Sequence, residues 1–273
     1  MRVRLRRQMY LDRVYAEGSI VDIPRQRAAL LVRRGLADHV EDQDRQVPQI
    51  APEQRPYPTV SAICPTRARP DFLRRAIYLF EVSKHAFSGE AELIVVYDQP
   101  SDLPQDIPAW VRTIKRGGTV GEKRNIACEA ALGEVILHWD DDDWYGPYSI
   151  SHRVEALGDR DVAGYGTVLF HRIGSREVYR YSQQNYVVGA SLIYRKEWWG
   201  RHRFRPYHVG EDNHFVHEAA AKGRFRAVDG TEHMVASIHP GNVSPRKISG
   251  SAWIKASFSD LPEAYTLLCQ NSQ

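Results

Sequence analysis

Beyond residue 58 the chain alternates between short apolar runs and longer segments in which apolar residues recur every three or four positions. The short runs read as buried strands and the longer segments as amphipathic helices. Val60–Cys64 is the first strand. A helix over Asp71–Lys84 follows, with Asp71 as N-cap and Phe72, Ala76 and Leu79 at helical spacing. Ala91–Tyr97 is a second strand that ends in Asp98, and Val111–Lys115 a third. Gly121–Leu132 is helical in pattern, and Glu134–Leu137 is a further strand. Strands alternating with helices predict an α/β fold, with a mostly parallel sheet covered by helices on both faces.

The first 46 residues read differently. Val3 and Leu5 alternate with arginines, Ile20–Ile23 is a short strand, Pro24 opens a helix carrying Ala28, Leu30 and Leu31, and a last strand ends near Val40. This is a small basic α+β accessory module, residues 1–46. Pro48, Pro52, Pro56 and Pro58 make residues 47–58 a stiff linker. The main domain spans 59–250. Residues 251–273 form a C-terminal helical tail, packed on the domain or at a homodimer contact.

Composition narrows the picture. A net charge of +3 over 273 residues is too small to imply nucleic-acid binding by itself. Three cysteines without CxxC spacing suggest neither a disulfide framework nor a zinc site. No stretch reaches the roughly 20 apolar residues of a membrane span. The arginine-rich start lacks the apolar core of a signal peptide. A soluble, cytoplasmic protein is expected.

Candidate chemistry concentrates in His138-Trp139-Asp140-Asp141-Asp142-Asp143-Trp144, directly after an apolar strand. Four consecutive carboxylates repel one another, so a cation is expected to hold them. Mg²⁺ or Mn²⁺ with oxygen ligands is the simplest candidate and would in turn bind a diphosphate. In parallel sheets ligands bind beyond the C-terminal strand ends. Thr66-Arg67, Asp98 and Asp140–Asp143 all fall there, and Arg67 and Arg69 suit phosphate or a base. Lys123 and Arg124 open a helix whose N-terminus suits a pyrophosphate.

In this order, Cys64–Pro70, Val96–Asp98, Gly121–Asn125, Gly133-Glu134 and Asp140–Asp143 resemble the GT-A glycosyltransferases, and within them the inverting family-2 enzymes that use nucleotide-diphosphate sugars. The match runs from about Pro58 to about Lys247. The resemblance implies a Rossmann-like GT-A fold and nucleoside contacts from Thr66, Arg67 and Asp98. It puts Lys123 and Asn125 near ribose or diphosphate. Asp140 and Asp142 become the acids of an Asp-x-Asp motif, with Asp142 the main metal ligand. Four aspartates leave the register ambiguous, so Asp141 and Asp143 stay candidates. Gly210-Glu211-Asp212 resembles the family's acceptor-side pair. It implies Asp212 as general base, because an inverting transfer needs a carboxylate to take the acceptor proton, with Glu211 in support. His239, in its Pro-Gly-Asn loop, is implied as a further metal ligand with His233 as competitor. Arg246 and Lys247 would close over the diphosphate. Trp198 and Trp199 suit stacking in an acceptor groove, or burial in the core. The cofactor is Mn²⁺ or Mg²⁺, and uridine is the commonest base in such enzymes.

Two other readings compete. A nucleotidyltransferase making the nucleotide sugar would carry a Gly-rich loop after the first strand, whereas Pro65–Pro70 has no glycine. A non-catalytic sugar- or virion-binding module would not need Asp140, Asp142 and Asp212 together. The N-terminal module loosely resembles accessory domains of bacteriophage proteins. That adds a hydroxymethylated DNA base to glycan and protein hydroxyls as acceptors.

Overall fold

The structure, a computed structural model, describes residues 57–244 and 248–270, together with strand segments 2–5, 9–10, 14–15, 20–22 and 37–39. The chain divides into two compact units, Met1–Pro56 and Tyr57–Gln273. In the first, β1 (Arg2–Leu5) pairs antiparallel with both β4 (Ile20–Asp22) and β5 (Ala37–His39). Strands β2 (Met9–Tyr10) and β3 (Val14–Tyr15) pair with each other. The helix expected from Pro24 and most of the Pro-rich linker lie outside the described residues.

The second unit carries the α/β fold. Strands β6 (Val60–Pro65), β7 (Ala91–Tyr97), β8 (Arg112–Lys115) and β9 (Val135–His138) are parallel, in the order β8-β7-β6-β9. Helices α1 (Pro70–His85) and α2 (Val120–Ala130) connect them. After β9 come β10 (Trp144–Tyr145), α3 (Ser149–Leu157), β11 (Val162–Arg172), β12 (Val178–Ser182), β13 (Ile193–Arg195), α4 (Lys196–Arg201), α5 (Asn213–Ala221), β14 (Phe225–Asp229) and β15 (Met234–Ile238). This half of the sheet is mixed: β13 runs antiparallel to β9 and β11, while β11 is parallel to β14 and β15. The mostly parallel expectation therefore describes the first half. The hairpin of β11 and β12 cannot be parallel, because its connection is too short for a crossover.

Period-two alternation distributes the core. On β6, Ala62 and Cys64 pack with α1 and α3 residues such as Leu73, Phe80 and Ile150, whereas Ile63 packs with Cys128, Trp198 and Phe215 on the opposite face. Strands β7 and β9 alternate in the same way. Helices thus cover both faces, and these strands read as continuous apolar runs. Burying one such side chain, Phe80 at 0% exposure, contributes about 1.5–3 kcal/mol.

Two helix starts differ in detail from the sequence pattern. Pro70 occupies the first turn of α1, which makes Arg69 the cap residue, and Asp71 instead pairs with Arg74 at 2.7 Å. Helix α2 is opened by a Thr119–Glu122 capping box. The tail is not wholly helical. Its first part is a strand, β16 (Trp253–Ala256), antiparallel to β12 at the sheet edge, followed by α6 (Glu263–Gln270). Among the described residues no helix is long and apolar enough to cross a membrane.

Candidate functional site

Parallel β6, β7 and β9 end at one edge of the sheet, so the residues after them share it. The turn after β9 is rigidly seated. Trp139 is fully buried and donates its indole N–H to the Ala76 carbonyl of α1 at 3.0 Å. Tyr145 stacks on Trp139 at 4.0 Å, its hydroxyl accepting from the Asp140 amide at 2.9 Å and donating to the Ala190 carbonyl at 3.0 Å. Buried Arg153 lies over both rings.

From this base the four aspartates diverge. Asp143 is buried and accepts the Ser237 amide at 2.8 Å, which ties the turn to β15. Asp141 accepts the Thr66 hydroxyl at 2.6 Å and faces Arg69 Nη2 at 2.8 Å. Asp142 Oδ2 accepts from Arg69 Nη1 at 2.7 Å, His239 Nε2 at 3.1 Å and Asn242 Nδ2 at 3.3 Å. Asp140 pairs with Arg124 Nη2 at 3.0 Å. The acids do need cations, as their repulsion demands, and here two arginines supply them. Burial pushes the Asp141 carboxyl up to about 7 against the pull of Arg69. For Asp142 the upward push of burial is outweighed by the His239 hydrogen bond and the Arg69 charge, which hold it below the usual carboxylate range.

Across a cavity of about 340 Å³ stands the acceptor-side pair. Asp140, Asp141, Asp142, Glu211 and Asp212 all line it, with Arg69 and Arg124. Buried Arg124 bridges the two walls, holding Glu211 on one side and Asp140 on the other. Burial pushes Glu211 up to about 7 against the pull of Arg124, and the Asp212 carboxylate adds to the upward push. Two glycines make the approach possible. A β-carbon at Gly189 would lie 2.2 Å from Asp212 Oδ2, and one at Gly121 would lie 1.8 Å from the Arg205 carbonyl oxygen.

The expected nucleoside end lies beside this cavity. Lys123 is buried and donates to the Thr66 carbonyl at 2.8 Å while pairing with Asp98 Oδ1 at 2.9 Å. It ties the ends of β6 and β7 together. Arg67 is mostly exposed and pairs with Asp98 Oδ2 at 3.3 Å. Asn125 is turned elsewhere: its carbonyl oxygen accepts the Trp199 indole N–H at 2.9 Å and the Phe204 amide at 3.0 Å, and its amide donates to the Phe204 carbonyl at 2.8 Å. Trp198 and Trp199, read as suited either to acceptor stacking or to the core, are 3% and 4% exposed in the core beneath α2 and α5. Helix α4 places both rings against the sheet, where their area is worth more than at a wet rim. Arg246 and Lys247 lie outside the described residues.

His239, not His233, reaches the acids. Its Nδ1 accepts from the Gly241 amide at 3.2 Å, so Nε2 carries the proton given to Asp142. His233 stacks on His152 at 3.9 Å, away from the aspartates. The sequence suggested phosphate or a base for Arg69 and a pyrophosphate for Arg124, whereas here they pair with Asp141, Asp142, Asp140 and Glu211. The sequence reading passed over Asp102, a fully buried carboxylate after β7, and Tyr145.

A divalent cation would be held here by Asp142 and by His239 once Nε2 gives up its proton. Asp142 lines the cavity and His239 touches its carboxylate at 3.1 Å, and the remaining positions would fall to diphosphate oxygens and water. Among the described residues no three His, Cys, Asp or Glu side chains converge on one point, so a closed protein cage is absent.

Comparison with known proteins narrows the assignment. The structure of residues 1–349 of S. aureus TarS in complex with UDP-GlcNAc superposes with a TM-score of 0.53 at 18% identity, covering 70% of this chain and 62% of that one. The same TarS fragment with UDP gives 0.51 at 18% identity over 67% of this chain and 61% of that one. A further S. aureus TarS structure gives 0.51 at 18% identity over 67% of this chain, which spans only 37% of its length. At that identity the likeness is one of fold, the Rossmann-like GT-A fold. No curated protein sequence matches the chain. The family model of glycosyl transferase family 2 matches residues 61–231, from β6 through β14, and the chain belongs to that family.

Proposed function

We propose that the chain is a metal-dependent, inverting glycosyltransferase that moves a sugar from a nucleoside-diphosphate sugar to an acceptor hydroxyl. One observation carries this reading. A single cavity has the Asp140–Asp142 carboxylates on one wall and Glu211–Asp212 on the other, with Arg124 joining them. That is the division of labour an in-line displacement at an anomeric carbon requires.

In this reading Thr66, Arg67 and Asp98 frame the nucleoside, and Lys123 holds the loop that carries Thr66. Asp142 and His239 would hold Mn²⁺ or Mg²⁺, which would supply charge neutralisation for the departing diphosphate. Arg69 and Arg124 add positive charge at the same wall. Asp212 takes the proton of the acceptor hydroxyl as its oxygen attacks the anomeric carbon. The bond from that carbon to the diphosphate oxygen breaks, and its electron pair leaves with the nucleoside diphosphate. Asp212 then returns its proton to solvent. The TarS complex with UDP-GlcNAc supports a uridine donor. The acceptor is a hydroxyl on a glycan, a protein or a modified DNA base.

Donor hydrolysis without acceptor tests the proposal. UDP-, GDP- and TDP-sugars are incubated with the protein and Mn²⁺ or EDTA, and released nucleotide is measured. Mn²⁺-dependent release from one donor that disappears in Asp142→Ala supports the assignment. No release together with no metal-dependent nucleotide binding overturns it.

A further inference from the structure

Asp102 closes the 3₁₀ turn Pro100–Asp102 after β7 and is fully buried. Its carboxylate accepts three backbone N–H groups: Ala68 on Oδ1 at 2.8 Å, and Asp98 and Gln99 on Oδ2, each at 2.9 Å. One side chain thus clamps the loop after β6 to the loop after β7. Ala68 has φ of +54°, and among the described residues it is the only non-glycine with positive φ. Side-chain-bearing residues avoid this conformation because Cβ crowds the following carbonyl, and they hold it only where their surroundings impose it. Asp102 is what imposes it here. The residues on either side of Ala68 are Arg67, which meets Asp98, and Arg69, which meets Asp141 and Asp142.

We propose that Asp102 is a positioning residue of the donor site: by holding Ala68 left-handed, it aims Arg67 at the nucleoside end and Arg69 at the acidic wall of the cavity. The proposal rests on reading that cavity as a nucleotide-sugar site. Without the clamp Ala68 relaxes to negative φ, the chain leaves the loop in another direction, and both guanidinium groups are displaced. Asp102→Asn separates the arms. The single amide oxygen stays with the paired Asp98 and Gln99 donors, and the amide N–H₂ then confronts the Ala68 N–H.

The test titrates UDP, GDP and TDP in MnCl₂ and follows the tightest of the three. Asp102→Asn weakens its binding about tenfold, the effect of losing a buried hydrogen bond to a charged group. Ala68→Val does the same from an exposed position, where packing is undisturbed and a β-branched residue resists positive φ. Adding Ala68→Gly to Asp102→Asn restores most of the affinity, because glycine adopts the conformation without help. Affinity within twofold of wild type in Asp102→Asn or Ala68→Val, or no recovery with glycine, overturns the proposal. Amide hydrogen exchange over residues 66–70 reads the clamp independently of any nucleotide. Faster exchange in Asp102→Asn supports it and unchanged exchange overturns it. If exchange rises while wild type binds none of the three nucleotides, only the donor-site reading fails.

Discussion

Asp212 reaches the cavity because residue 189 has no side chain, so the two positions share one function. Gly189→Ala puts a methyl 2.2 Å from the carboxylate oxygen and forces it aside. A displacement of that size lowers kcat about 10²-fold while leaving donor KM within a few-fold, measured by steady-state transfer once an acceptor is found. Asp212→Asn keeps the shape but removes the proposed proton acceptor, and kcat falls about 10²–10⁴-fold. In the proposed mechanism the pair must be ionised to act. Glu211, pushed up to about 7, titrates within the working range, so kcat/KM rises with pH through about 7 and levels above it. A rate that is flat from pH 5.5 to 8.5 counts against the acceptor-side pair.

Elements were legible where both faces of a strand are buried. Val60–Pro65 and Ala91–Tyr97 read as strands because most of their residues are apolar, and the acids after β9 stood out as four consecutive carboxylates at the end of an apolar run. The tail was less readable. Trp253 and Ile254 carry apolar side chains on an edge strand whose Ile254 is 62% exposed, so their pattern mimicked a helix. The destination of Trp198 and Trp199 depends on α4 meeting Phe204 and Phe215, contacts set by distant chain. Trp198→Ala therefore destabilises the fold by about 3–5 kcal/mol in urea unfolding without a specific effect on acceptor use. Packing between α3 and the turn before β15 adds a pH effect. Burial, with His152 adjoining, lowers His233 to about 3. A histidine lowered in the fold contributes stability above its unfolded pKa of about 6.5, and loses it as pH falls toward 3. Urea midpoints drop between pH 6.5 and 4.5, and the drop is shallower in His233→Phe. An equal drop in both proteins removes His233 as the cause.

At the scale of the molecule, every described site residue lies in the unit from Tyr57 onward, which has its own two-faced core. A fragment beginning at Tyr57 keeps Mn²⁺-dependent nucleotide affinity within threefold of the full chain in calorimetry. A larger loss assigns part of the donor site to the N-terminal unit. The role of that unit was not legible, since its arginines suit any anionic partner as well as water.

The two tryptophans that bracket the four aspartates also give the site a voice. Trp139 is locked face to face with Tyr145 immediately before Asp140, and buried Trp144 closes the turn after Asp143. A paramagnetic ion held by Asp142 would sit within a few residues of two indoles in a rigid setting. Mn²⁺ should dim their emission and diamagnetic Mg²⁺ should spare it, so arrival at the acidic turn can be followed optically in the unlabelled protein before any substrate is known.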